Sequence, residues 1–100
     1  MEITKNLNNN VLEIALTGRL DTATAPQLDQ AIKSVQEPYD SMVFDFSSLD
    51  YISSAGLRVL LSANKYLTGT GNGPITIKNA NDIVKEVFEV TGFDTIVNME

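Results

Sequence analysis

The chain passes from a strand pattern to a helix pattern at one short stretch, Tyr51-Ile52-Ser53-Ser54-Ala55-Gly56-Leu57. The apolar run before it, Met42–Phe46, scarcely alternates with polar residues, which predicts a strand covered on both faces. Leucines recur at helical spacing after it, at positions Leu57, Leu60, Leu61 and Leu67. A strand leading directly into a helix is typical of α/β folds.

The N-terminal part of the chain carries two strand patterns and one helix pattern. A short strand at Glu2–Lys5, an asparagine-rich turn and a period-two pattern at Leu12, Ile14 and Leu16 predict a hairpin. The segment Gly18–Thr22 is expected to break the second strand. A helix follows, capped by Thr24 or Thr22, with Pro26 in its first turn and its end at Pro38. Its apolar positions are Ala25, Leu28, Ala31, Ile32 and Val35.

The C-terminal part repeats the alternation. A loop at Gly69–Pro74 precedes a short strand at Ile75–Ile77. A third helix is expected to begin at a cap on Asn79 or Asn81 and to stop at Gly92, with a last short strand or irregular tail at Thr95–Met99. Its predicted buried residues are Ile83, Val84, Val87 and Phe88.

This order of elements, ββαβαβα with a possible terminal strand, predicts an α/β fold. Strands that alternate with helices need crossover connections, which make the sheet mainly parallel. We expect a single small domain over residues 1–100, with a mainly parallel sheet of four to five strands and three to four helices packed on it.

Composition excludes several classes of function. The 100 residues include 13 acidic and 7 basic side chains, giving a net charge of -6, which argues against nucleic acid and anionic membranes as partners and weakly favours a basic protein surface. Histidine and cysteine are both absent, which removes Ser-His-Asp triads, Cys-His dyads and ordinary zinc sites, so that neither a metal nor a cofactor is expected. Without a secretory signal pattern or a membrane-spanning run, the expected location is the cytoplasm.

The two serines at the corner admit a structural and a functional interpretation. Ser53 is predicted to cap the helix, with its hydroxyl accepting from a first-turn amide, which leaves the hydroxyl of Ser54 free. Gly56, in the first turn, indicates that a neighbouring strand or a partner approaches the backbone closely. Phosphorylation of Ser54 would add about -1.5 to -2 charges where the helix dipole tolerates an anion, and would change the surface without unfolding it. The alternative is plain capping and packing.

Asp21 and Thr22 follow the second strand. Because open α/β sheets bind ligands at the carboxyl ends of their strands, these two residues are expected near Ser54. A solvated turn or a local cap is the alternative for Asp21. Arg58 is expected to be exposed beside the corner, where it could meet a partner's acid or balance a phosphate.

Two segments together resemble the STAS domain family, in its anti-sigma factor antagonist form: Gly18–Pro26 and Asp45–Leu57, with Val87–Phe93 matching the family's last helix. The resemblance implies a non-enzymatic switch. Such a protein binds an anti-sigma factor that is also a serine kinase, releases it when phosphorylated, and is reset by a serine phosphatase, which regulates sigma-factor-dependent transcription. The family's phosphoacceptor aligns with Ser54, and its partner-contacting aspartate aligns with Asp21.

The resemblance departs from the family pattern on both sides of Ser54. Ser53 replaces an aspartate and Ala55 replaces a serine or threonine, which makes Ser53 a second candidate acceptor. The predicted partner-binding residues are Asp21, Thr22, Ser53, Ser54, Gly56 and Arg58. The alternative function is a STAS scaffold or subunit that binds a partner without phosphorylation control. An enzyme is not expected, because a Ser54 nucleophile would have no histidine as its base.

Overall fold

The computed structural model describes residues 1–100 as one five-stranded sheet with three α-helices packed on it. The strands are β1 (Glu2–Asn8), β2 (Val11–Leu20), β3 (Ser41–Ile52), β4 (Thr76–Lys78) and β5 (Asn98–Met99). The helices are α1 (Ala25–Lys33), α2 (Ser54–Gly69) and α3 (Asp82–Thr91), with a short 3-10 turn at Phe93–Thr95.

The strands lie in the sheet in their order along the chain, β1-β2-β3-β4-β5. β1 pairs antiparallel with β2, and the later pairs are all parallel. Asn9 and Asn10 make the hairpin turn with φ of 53° and 65°, a left-handed conformation that asparagine tolerates better than most residues. The predicted α/β fold with a mainly parallel sheet is confirmed, and so is the terminal strand.

All three helices cover the same face of the sheet. Along β2 up to Leu16 and along β3 up to Phe46 every second residue is fully buried, and after the register shifts Leu20, Leu49 and Ile52 continue the buried face. These residues join the inner faces of the helices in one core of 22 apolar side chains. The opposite face carries exposed or half-buried residues, among them Glu13, Val43, Asp45, Thr76 and Lys78. The prediction that Met42–Phe46 is covered on both faces was wrong, because Val43 and Asp45 project from the helix-free face.

Both central strands extend beyond their predicted ends. β2 does not break at Gly18 but continues to Leu20, because Gly18 adopts φ of 106° at a register shift and the pairing with β3 resumes. β3 runs on to Ile52, well beyond the strand predicted at Met42–Phe46. The two strands therefore end together, and this common end supports the candidate site.

The helix ends follow local chemistry that was partly predictable. Asn81 caps α3 by accepting a hydrogen bond from the Val84 amide at 2.8 Å, and Gly92 ends the helix with φ of 76°. In contrast, α1 ends at Lys33 rather than at Pro38. Ile83, expected in the core, is 57% exposed.

A buried amide fixes the loop between α2 and β4. Asn64, on α2, is the one polar residue that is buried as a whole, and its Oδ1 accepts a hydrogen bond from the Ile75 backbone amide at 2.9 Å. The bond satisfies a buried donor that has no strand partner, which fixes the start of β4 against the helix. None of the three helices combines the length and the apolar character needed to cross a membrane.

Candidate functional site at the strand-to-helix corner

The carboxyl ends of β2 and β3 are joined at the point where α2 begins. Leu20 and Ile52 are register partners in the parallel ladder, and the Ser53 amide donates to the Leu20 carbonyl at 2.9 Å. The first helical hydrogen bond runs from the Leu57 amide to the Ser53 carbonyl at 3.0 Å. The structure thus brings the loop that begins at Asp21 next to the serine corner, as the sequence predicted.

Ser53 occupies the cap position of α2 but does not use its hydroxyl there. Its backbone is extended, with φ of -100° and ψ of 175°, as expected at a helix N-cap. The hydroxyl is buried and has no hydrogen-bond partner, so the predicted side-chain cap was wrong. The backbone hydrogen bond to Leu20 fixes Ser53 at the carboxyl ends of β2 and β3. Its side chain is packed inside the protein rather than against the first-turn amides.

Ser54 is the first residue of α2 and is exposed. It accepts or donates no side-chain hydrogen bond within the protein, and the first turn of α2 contains no acidic residue. The free N–H groups of this turn and the positive end of the helix dipole are therefore not neutralised by an acidic side chain of the helix itself. The arrangement leaves the Ser54 hydroxyl accessible in an environment that favours an anion.

Gly56 allows the first turn of α2 to touch the strands. A Cβ atom on Gly56 would lie 2.5 Å from Leu20 Cγ, which is too short for a real contact, and 3.0 Å from Ile52 Cγ1, which is tighter than most contacts. The close approach inferred from the glycine is therefore made by neighbouring strands. This packing fixes the direction of α2 relative to the ends of β2 and β3, and with it the position of Ser54.

Asp21 organises the loop between β2 and α1. Its Oδ1 accepts from the Ala23 amide at 3.0 Å and from the Thr24 amide at 3.2 Å and lies 3.2 Å from the Thr24 hydroxyl oxygen, while its own amide donates to Thr24 Oγ1 at 2.8 Å. Desolvation in the loop raises the pKa of Asp21, but the hydrogen bonds from Thr24 and Ala23 and the charge of Arg19 outweigh it and hold the pKa below its ordinary value. Asp21 is therefore an ionised, locally fixed carboxylate whose Oδ2 remains outside the loop's own hydrogen bonds.

The hydroxyl of Thr24 is used by this loop and not by the helix. Thr24 lies at the N-cap position of α1, yet its Oγ1 donates to the Arg19 carbonyl at 2.8 Å and makes no cap bond. Thr22 is exposed and is not the cap. The prediction of Thr24 as the cap residue of α1 is therefore correct in position, but the expected side-chain bond is not formed, because the Thr24 hydroxyl bonds to Arg19 and Asp21 instead.

Arg19 and Tyr51 lie at the same carboxyl ends of β2 and β3, and they were not predicted from the sequence as site residues. They are register partners one residue before Leu20 and Ile52, and the Arg19 guanidinium lies 4.5 Å from the centre of the Tyr51 ring. Arg19 Nε is also 3.8 Å from Asp21 Oδ2. The signal that could have revealed them is their equal spacing before the buried ends of the two strands, which needs the β2–β3 register to be known.

Arg58 lies one helical turn beyond Ser54 on α2. It is exposed and takes part in no salt bridge or hydrogen bond. Asp21, Ser53 and Gly56 thus meet around Leu20, while Ser54, Arg58 and Thr22 present their side chains to solvent nearby. No group of three or more acidic side chains is arranged to hold a metal ion.

Comparison with known families identifies the fold. The sequence profile described as "Mlab, STAS domain" matches residues 3–98, almost the whole chain. The chain belongs to the STAS domain family. The two segments that carry the resemblance in the sequence, Gly18–Pro26 and Asp45–Leu57, are the ones that form the edge of this STAS domain around Asp21 and Ser54.

Relatives of this STAS domain are named as anti-sigma factor antagonists. BtrV of Bordetella bronchiseptica, which carries that name, is 36% identical over 97 residues, covering 96% of this chain and 83% of BtrV. Among solved structures, an anti-sigma factor antagonist from Thermotoga maritima has a TM-score of 0.85 at 18% identity over 97% of this chain and 84% of its own. Unphosphorylated SpoIIAA has a TM-score of 0.78 at 18% identity, over 99% of this chain and 87% of its own. These names are those of regulators, in agreement with the prediction that the chain is not an enzyme.

Proposed function

We propose that this STAS domain is an anti-sigma factor antagonist controlled by phosphorylation of Ser54. Unphosphorylated, it binds an anti-sigma factor that is also a serine kinase, which frees the sigma factor for transcription. Phosphorylation of Ser54 ends the binding, and a serine phosphatase restores it. This cycle of phosphorylation and dephosphorylation takes place in the cytoplasm, where the kinase, ATP and the sigma factor are found together.

The observation that carries the proposal is the exposure of Ser54 at the start of α2, beside a fixed carboxylate. The hydroxyl of Ser54 is accessible and unused, whereas the hydroxyl of Ser53 is buried and therefore a poorer acceptor for a kinase. The contact between Gly56 and the strand ends holds Ser54 next to the Asp21 loop. A partner that covers this edge therefore covers the phosphoacceptor as well.

A phosphate on Ser54 would change the edge by charge and volume rather than by unfolding. The first turn of α2 has free N–H groups and no acidic residue, so an anion there is stabilised by the helix dipole. A partner packed against Ser54 would have to accommodate two further negative charges near Asp21. Binding is lost because the partner surface that fits the hydroxyl does not fit the phosphate.

The test is phosphorylation of the purified protein by the anti-sigma-type serine kinases of its own host. The protein, ATP and each kinase are mixed, and the modified residue is located by tandem mass spectrometry. We expect one phosphate on Ser54, none on Ser54→Ala, and an unchanged yield on Ser53→Ala. Pull-down of the same kinases by unphosphorylated wild type, with loss of binding in Ser54→Asp, completes the test.

Two results would contradict the proposal. A phosphate on Ser53 alone would show that the buried hydroxyl becomes accessible and would move the switch by one residue. Binding without phosphorylation by any kinase would instead support a STAS scaffold that binds its partner without phosphorylation control. That alternative is favoured by Ser53 in place of the family's aspartate and by Ala55 in place of its serine or threonine. Circular dichroism of Ser54→Asp shows whether a loss of binding comes with a loss of fold.

A further inference from the structure

The outer strip of α2, defined by Ser54, Arg58, Ser62 and Lys65, differs in charge from the rest of the molecule. These residues recur at helical spacing on one face, and all four are exposed. The helix from Ser54 to Gly69 contains no acidic residue, although the chain as a whole has 13 acidic and 7 basic side chains. The strip is therefore a cationic surface on an acidic protein.

Arg58 has no internal partner that would hold it. An exposed arginine on a helix commonly pairs with an acid three or four residues away, but the positions at that spacing are Ser54, Ala55, Leu61 and Ser62. The structure accordingly shows neither a salt bridge nor a hydrogen bond to Arg58. Its guanidinium is free to bind an anion supplied by modification or by a partner.

Ser54 and Arg58 have the spacing of a helical ion pair. Residues at i and i+4 have Cβ atoms about 5–6 Å apart, and an acid on the N-terminal side of a base is the favourable orientation. A phosphate offers three acceptor oxygens, which suit the planar fork of an arginine. Lys65, by contrast, lies 11 residues from Ser54, about 16 Å along the helix axis, and is out of reach.

We propose that Arg58 is the counter-ion of phosphorylated Ser54, and that this pairing makes Arg58 unavailable for binding to an acidic surface of the partner. The inference rests on the proposed function and adds how the switch works: phosphorylation both introduces a negative charge and neutralises the positive charge that the partner uses. Overall charge predicts a basic partner surface, whereas this strip assigns an acidic patch to the part of the partner that lies against α2.

The ion pair is tested by phosphorus NMR titration of the full chain carrying phosphoserine at position 54, inserted during translation. An arginine beside the phosphate favours the dianion, so the second pKa of the phosphate should be lower in wild type than in Arg58→Gln by about 0.3 pH units. Lys65→Gln is the matched control and should leave this pKa unchanged. Arg19, Asp21 and Asp50, the other charged groups at this edge, are identical in all three proteins. Equal pKa values in wild type and Arg58→Gln would overturn the pairing.

The docking role of the strip is tested with the unphosphorylated protein and the host's purified anti-sigma-type kinases. Arg58→Gln and Lys65→Gln should each weaken binding by about two- to fivefold, with a smaller effect at high salt, while Lys85→Gln on α3 should not. Unchanged affinity in both strip variants would overturn the docking role. Because the phosphate is installed without a kinase, the titration result is independent of the proposed function, which fails separately if Ser54→Asp binds as wild type does.

Discussion

Gly56 brings the first turn of α2 closer to the strand ends than any other residue would allow. Its missing side chain is replaced by Leu20 and Ile52, which pack against the helix backbone itself. Leu20 and Ile52 are register partners and both are fully buried, so they cannot move apart without disturbing the core. One absent methyl group therefore determines where Ser54 is presented.

Substitution of Gly56 by alanine is expected to destabilise the protein by about 1–2 kcal/mol. Overpacking of a core costs about 1–3 kcal/mol, and the higher helix propensity of alanine returns about 0.5–1 kcal/mol of it. Urea unfolding measures the free energy of unfolding. The control is Gly69→Ala, at the other end of α2, where a Cβ would meet nothing within 4 Å. Equal stability of the two variants would show that the close contact at Gly56 is not restrictive.

The two serines show how far sequence reasoning reaches at this scale. Glycine in a first helical turn has a propensity cost, so the close approach at Gly56 could be inferred from the sequence alone. The fate of the Ser53 hydroxyl could not, because its rotamer depends on how β2, β3 and α2 pack together. A serine before a helix predicts a cap, but here the backbone provides the cap position and the hydroxyl is buried without a partner.

At the scale of elements, the ends of β2 and β3 are decided by pairing and not by local pattern. In the sequence Gly18 indicates a strand break, and the apolar strand pattern of β3 stops at Phe46. Pairs such as Thr17 with Ser48 and Arg19 with Tyr51 nevertheless continue the ladder across two register shifts. A parallel ladder joins residues about 30 positions apart, so its length cannot be read from either segment by itself.

Asn81 connects two elements and gives a graded test of that connection. Its Oδ1 caps α3 through the Val84 amide, while its Nδ2 donates to the Leu49 carbonyl at 3.1 Å and the Asp50 carbonyl at 3.2 Å. Asn81→Ala removes both functions and should cost about 1–2 kcal/mol. Asn81→Asp keeps the cap and loses the donors, so we expect an intermediate stability.

Urea unfolding of the two Asn81 variants distinguishes the cap from the strand contact. The control is Asn72→Ala, because the side-chain Nδ2 of Asn72 donates only to the exposed Thr70 Oγ1, and the loss of this bond should leave stability nearly unchanged. Asn81→Asp as stable as wild type would mean that the bonds to β3 contribute nothing. A value equal to that of Asn81→Ala would mean that the cap contributes nothing.

At the scale of the whole molecule, two aspartates couple stability to pH. Asp45, on the helix-free face, accepts from the Ser47 amide at 3.0 Å and from Asn79 Nδ2 at 3.1 Å, and these bonds hold its pKa below its ordinary value against some desolvation, with help from Lys78. The pKa of Asp21 is lowered too, with desolvation opposing the bonds from Thr24 and Ala23. The folded state therefore binds these protons more weakly than the unfolded chain does.

The sign of this coupling predicts acid destabilisation. The stabilisation from Asp21 and Asp45 is complete above their ordinary pKa of 3.8 and is lost as pH falls below it, through the lower folded values. Urea unfolding from pH 6 to pH 2.5 should show a free energy that declines in that range. Asp45→Asn and Asp21→Asn should each make the decline shallower, and the double variant shallower still. A decline of equal slope in all four proteins would contradict the coupling.

The order of the strands in the sheet has a consequence for synthesis. Each strand pairs with the one that precedes it in the chain, so no strand has to insert between two that are already paired. The sheet grows from one side only, starting with a hairpin and adding one strand after each helical crossover. Such sequential pairing keeps the loops that must close short and favours ordered folding as the chain emerges. A nascent chain that has reached Ile52 already contains three adjacent strands, and the two later strands are added in turn at the free edge beside β3.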